Sequence, residues 1–201
     1  MKKVLVILMS VLLACCTAFA EDAVTSATLR IEKLPAVEVQ ENGILTVFFS
    51  PDDTTRAAAY AVAAALSTEL FEIVPEEPYT ADDMNYFNNQ ARSMTEMKDS
   101  TARPAITALP EDLGRYDVIL LGYPIWGGQA PRIISTFLER VDLSGKTIIP
   151  FCTSNSSELG NSAKNLQPLT DDSVTWLAGV RIPKGSTAEE IGLLAEELVQ
   201  E

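Results

Sequence analysis

From Gly43 onward the chain alternates short, uniformly apolar runs with segments of helical period, and few architectures can accept that alternation. Ile44 to Phe49, Leu70 to Val74, Tyr116 to Gly122, Lys146 to Phe151 and Val174 to Val180 have the length and β-branched or aromatic content of strands. Thr54 to Leu66 sets Ala57, Ala58, Ala61, Ala64 and Ala65 at helical spacing, Pro131 to Val141 gathers Ile133, Ile134, Phe137 and Leu138 on one face, and Thr187 to Val199 supplies a third helix. Strands apolar along their whole length must be buried on both faces. That requires a parallel sheet covered by helices, an α/β three-layer sandwich with five strands in the order 2-1-3-4-5. In that order the loops after strands one, three and four meet at the switch point, where such sheets bind ligands. The segment from Pro75 to Arg115 is longer than a normal crossover, and its part from Ala81 to Lys98 carries a helical expectation.

The N-terminus speaks to compartment. Lys2-Lys3, the apolar run Val4 to Ala14 and Ala18-Phe19-Ala20 form a charged region, a hydrophobic region and a small-x-small cleavage site, so residues 1–20 are expected to be a signal peptide and the protein to be extracytoplasmic. A competing reading takes Leu12-Leu13-Ala14-Cys15 as a lipobox, with Cys15 acylated and held at a membrane. Residues 21–42 are a polar leader, a tether or an added edge strand, and 43–201 form the domain. Cleavage after Ala20 leaves Cys152 as the sole thiol, so no intramolecular disulfide is expected. It also removes Lys2 and Lys3, leaving 13 of 15 basic residues against 28 acidic ones, a net charge of −15 in place of −13. Such a charge opposes nucleic acid and anionic membrane surfaces. The chain has no histidine, which excludes Cys-His and Ser-His nucleophilic catalysis.

Several motifs fall in one order: Ile44 to Ser50 before a helix, Leu70 to Thr80, Arg103-Pro104, Tyr116 to Ile119, Gly122-Tyr123-Pro124-Ile125-Trp126, Phe137-Leu138-Glu139, and Gly145 to Ser154. From about residue 44 to the C-terminus the chain therefore resembles the short-chain flavodoxin-like proteins. The resemblance implies an FMN site and a role in electron transfer or flavin-dependent reduction. It implies that Ser50, Thr54 and Thr55 stand at the phosphate, that Tyr123, Pro124, Ile125, Trp126 and Gly127 form the wall of the ring, with Trp126 stacking on it, and that Thr153, Ser154 and Asn155 offer groups to the pyrimidine edge.

The phosphate loop departs from the family pattern Ser/Thr-x-Thr-Gly-Asn-Thr, because it reads Ser50-Pro51-Asp52-Asp53-Thr54-Thr55. Two carboxylates stand where a dianion should sit. At about 5 Å and an effective dielectric near about 20, each repels a phosphate dianion by several kcal/mol before salt or protonation relieves it. Asp-Asp-Thr-Thr ahead of an alanine-rich helix is also a good N-cap signal in its own right. The alternative is thus a flavodoxin-fold envelope protein that has lost FMN and acts as a non-enzymatic binding module. Asp52-Asp53 as a Mg²⁺ site is set aside, because Tyr123-Pro124 fills the place where phosphoacceptor folds need a further carboxylate, and no metal site is expected.

Overall fold

A computed structural model of the protein describes residues 43–199. The expected signal peptide, the Cys15 lipidation site and the polar leader lie outside these residues. Strands β1 (Ile44–Phe48), β2 (Glu69–Glu72), β3 (Val118–Pro124), β4 (Thr147–Ser154), β5 (Thr175–Trp176) and β6 (Val180–Pro183) form one parallel sheet, and its order is β2-β1-β3-β4-β5, with β6 also on β4. Helices α1 (Asp53–Leu66), α2 (Arg92–Lys98), α3 (Arg132–Arg140) and α4 (Ala188–Leu198) surround it. This is the flavodoxin-like order that the alternation predicts.

Strand alternation divides the core in two. Leu45, Val47, Phe49, Ile119, Leu121, Tyr123, Ile148 and Cys152 pack with α3 through Ile133, Ile134, Phe137 and Leu138. Phe48, Leu120, Ile149 and Phe151 pack on the other side with Ala58, Ala59 and Val62 of α1 and Ile191 and Ala195 of α4. Both faces of β1, β3 and β4 are thus covered, which is why their sequences lack a polar period. Small side chains bring α1 close to the sheet.

Two expectations are corrected. The single fifth strand over Val174 to Val180 is two pieces, and the second extends to Pro183. The break lies beside Pro150, which has no N–H to donate and interrupts the ladder between the pairs Ile148–Trp176 and Phe151–Val180. There Gly179 approaches so closely that a Cβ on it would stand 2.2 Å from the Pro150 carbonyl oxygen. The helix expected over Ala81 to Lys98 covers only Arg92–Lys98. Before it, Asn85 accepts from the Phe87 amide at 3.1 Å and Asn88 from the Gln90 amide at 3.0 Å, so side-chain oxygens bind amides that a helix would need.

Candidate functional site

The loops after β1, β3 and β4 are tied together by short contacts at the carboxyl edge of the sheet. The Phe49 amide donates to the Gly122 carbonyl at 3.0 Å, the Ile125 amide donates to the Thr153 carbonyl at 3.2 Å, and the buried hydroxyls of Thr55 and Thr153 share a hydrogen bond of 2.7 Å. One bond thus links the first turn of α1 to the end of β4 across 98 residues of sequence.

On the phosphate side, α1 is capped from within. Asp52 is its N-cap and accepts from the Thr54 amide at 3.2 Å. The buried Ser50 hydroxyl accepts from the Arg56 amide at 2.9 Å and donates to the Asp52 carbonyl. One of the amides that a helix leaves unpaired in its first turn, that of Thr54, is therefore taken, Ser50 substitutes for the i−4 carbonyl at the Arg56 amide, and Pro51 has no N–H to give. The Asp53 carboxylate is open to solvent and pairs with Arg56, whose guanidinium also grips Glu72 at 2.5 and 3.3 Å. The Glu72 hydrogen bond, with the charges of Glu72 and Asp53, holds Arg56 above its ordinary pKa, so it stays a cation paired with two carboxylates. Read as a site for a phosphate dianion, the loop does not fit: the Ser50 and Thr55 hydroxyls and the Thr54 amide are engaged within the protein, and the Asp52 and Asp53 carboxylates stand exposed at the same place.

The ring side is built differently. Trp126 is half-buried at the end of β3, with its ring 5.8 Å from Phe49 and 5.2 Å from Tyr79, both edge-on at 84° and 72°. Its position is fixed by a tight turn, in which the Trp126 amide donates to the Gln129 carbonyl at 2.9 Å and the Gln129 amide returns the bond at 3.0 Å. Gly127 and Gly128 occupy that turn with φ of 56° and 78°, a left-handed pair that glycine adopts freely. Behind Trp126, Tyr79 donates its hydroxyl to Glu96 at 2.6 Å, and Arg92 lies 4.1 Å over the Tyr79 ring while donating to the same Glu96 at 2.7 Å. Burial, then the Glu96 hydrogen bond, pushes the Tyr79 phenol up, so it stays neutral. Trp126 is thus supported by Phe49 and Tyr79 and remains partly exposed.

The expected site residues fall on the three loops at this edge of the sheet. Ser50, Thr54, Thr55 and Thr153 cluster at the start of α1, and Pro124, Ile125, Trp126 and Gly127 form the opposite wall. Tyr123 is not among them. Strand alternation sends it into the core on the α3 side, where its hydroxyl is 3.1 Å from that of Ser162. Ser154 donates to the Ser157 carbonyl of its own loop, and Asn155 is exposed at the rim. Cys152 is fully buried, and burial pushes its thiol up to about 12, which removes it as a nucleophile. The described residues contain no cluster of metal-ligating side chains.

Sequence reasoning missed the aromatic backing by Phe49 and Tyr79, because contacts across 77 and 47 residues of chain leave no periodic trace. It also missed the turn after β6. There Lys184, Gly185 and Ser186 line a cleft of about 430 Å³ with Asp53, Thr54 and Thr153. The readable signal was the capping pair Thr187 and Glu190, which fixes where that turn must end.

Three comparisons bear on identity. A family model described as Flavodoxin matches residues 43–197. Among solved structures, one named as a flavoprotein from Bacteroides eggerthii shares 40% identity over 78% of this chain and 97% of its own, with a TM-score of 0.71. A second, from Bacteroides uniformis, shares 39% over 79% and 97%, also at 0.71. A flavoprotein from Lactobacillus acidophilus in complex with FMN is 21% identical over 69% and 91%, with a TM-score of 0.57, a likeness of fold. Among curated proteins nothing matches. The family match over most of the chain and the two relatives near 40% identity agree with the strand order, so the chain belongs to the flavodoxin family.

Proposed function

We propose that the protein is an exported flavoprotein that holds an isoalloxazine ring against Trp126 and takes part in electron transfer or flavin-dependent reduction. The observation that carries this reading is the half-buried Trp126, braced by Phe49 and Tyr79 at the meeting point of three loops. A bound flavin supplies the redox chemistry. The protein's own residues then have limited tasks. Trp126 covers one side of the ring, the Tyr79–Glu96–Arg92 group keeps Trp126 in place, and the loop after β4 offers backbone and small polar groups to the ring edge. Export rests on Lys2-Lys3, the run to Ala14 and Ala18-Phe19-Ala20, with lipidation at Cys15 as the competing anchor.

A second reading, a non-enzymatic envelope module without flavin, draws on one observation, the self-capped start of α1 with Asp52 and Asp53 facing outward. The visible spectrum of the protein as purified and a flavin titration decide between them. Bound flavin should quench in fluorescence and raise the melting temperature, as linkage requires. If FMN, riboflavin and the bare ring compound lumiflavin all leave the melting temperature unchanged at saturating concentration, the flavoprotein reading fails and the module takes its place.

A further inference from the structure

We infer that this site selects a flavin without a terminal phosphate, riboflavin in preference to FMN; the inference rests on the flavoprotein reading above. The two ends of the site make opposite demands. The ring end keeps what a planar, uncharged heteroaromatic needs: the half-buried Trp126 with edge-on support and the loop after β4. The other end has exchanged donors for acceptors. A ribityl chain ends in a neutral hydroxyl, which can donate to a carboxylate or accept from an amide, whereas a phosphate dianion can only accept.

The groups facing that end can be counted. Asp52, Asp53 and Glu72 carry three negative charges, and Arg56 and Lys184 carry two positive ones. Arg56 is held between Asp53 and Glu72, which use three of its five N–H donors and outweigh its single positive charge. Lys184 is exposed on the turn after β6 and lines the same cleft as Asp53 and Thr54, a single cation against the three carboxylates. The Ser50 hydroxyl, which could have wrapped a phosphate, is spent on Arg56 and Asp52 inside the loop. For a dianion the balance is net repulsion with few donors. For a hydroxyl the same loop supplies acceptors within reach.

The experiment is a pair of fluorescence-quenching titrations of the signal-free protein, with riboflavin and with FMN, at low and at moderate ionic strength. Riboflavin should bind at least tenfold tighter than FMN at low salt, and the gap should narrow as salt screens the carboxylates. The double variant Asp52→Thr/Asp53→Gly should strengthen FMN by at least tenfold and leave riboflavin within about threefold. Glu196→Gln/Glu197→Gln, which removes the same charge from the last turn of α4, should leave the ratio unchanged. Equal or tighter binding of FMN by the unaltered protein overturns the inference while leaving the flavoprotein reading intact, and so does an equal response of the ratio to both double variants. Absence of binding by both flavins overturns the inference, and if lumiflavin also fails to bind, the flavoprotein reading falls with it. Folding of each variant is checked by its melting curve without ligand, and if the loop variant does not fold, the salt dependence of the riboflavin-to-FMN ratio decides on its own.

Discussion

Trp126 packs against the core, and the proposed function gives it a second task against a flavin ring. Its edge-on contacts with Phe49 and Tyr79 tie it to the α3-side core, so removing the ring costs packing even without ligand. Full truncation of a core aromatic costs about 3–5 kcal/mol, and Trp126 is half-buried, so Trp126→Ala should lower apo stability by about 2 kcal/mol, measured by urea unfolding. The same variant should weaken flavin binding about tenfold, the scale of one aromatic pair, while Trp126→Phe should recover most of both. A stability loss of the full core size with unchanged flavin affinity would make Trp126 a packing residue only. Trp126 was legible as an aromatic at the end of a strand in Tyr123-Pro124-Ile125-Trp126, but the burial of its neighbour Tyr123 in the core was not. A motif gives the position in the chain, whereas the alternation of the strand decides which face a side chain meets.

At the scale of elements, helix α1 and the sheet edge illustrate what sequence could and could not give. The cap signal of Asp52-Asp53-Thr54-Thr55 was readable, and Asp52 does cap Thr54. The contribution of Ser50 was not, since its bond to the Arg56 amide depends on how the chain turns at Pro51. Ser50→Ala leaves that part-buried amide without its partner and should cost about 1–2 kcal/mol by chemical denaturation, with amide hydrogen exchange showing fraying confined to the start of the helix. The fifth strand was legible as an apolar run, but its break was not, because the cause lies in a proline of the neighbouring strand. Gly179→Ala would place a methyl against the Pro150 carbonyl and should destabilise by about 1–3 kcal/mol, whereas the same change at exposed Gly185 should not report this contact. If Gly179→Ala unfolds at the midpoint of the unaltered protein, the close approach is not a constraint.

For the whole molecule, sheet order followed from strand and helix alternation alone, while the contents of the 75–115 segment did not, since its asparagine turns and long-range aromatic contacts have no period. The folded molecule also carries a titration pattern that the sequence could not supply. Burial pushes Cys152 up to about 12, and burial likewise raises the phenols of Tyr123, Tyr79 and Tyr116. Groups with raised values favour the folded state in their neutral form, so their contribution is complete below their unfolded pKa values and disappears as pH rises through the folded ones. Asp83, Asp99, Asp142 and Asp171, each accepting a hydroxyl and an amide, and Glu139 on Arg103 are lowered, so their contribution is present above the ordinary carboxylate range and lost as pH falls below it. Stability should therefore be level between about pH 5 and 8 and decline on both sides. Growing net negative charge also weakens the fold at high pH, and a single substitution separates the two causes. Cys152→Ala costs some stability at every pH through the lost packing, but its curve should stay level to about pH 10, where the tyrosines begin to titrate, while the unaltered protein declines from about pH 9. Denaturant midpoints taken at half-unit steps from pH 7 to 11 measure the difference, and parallel curves through the interval would assign the alkaline decline to charge repulsion instead of the buried thiol.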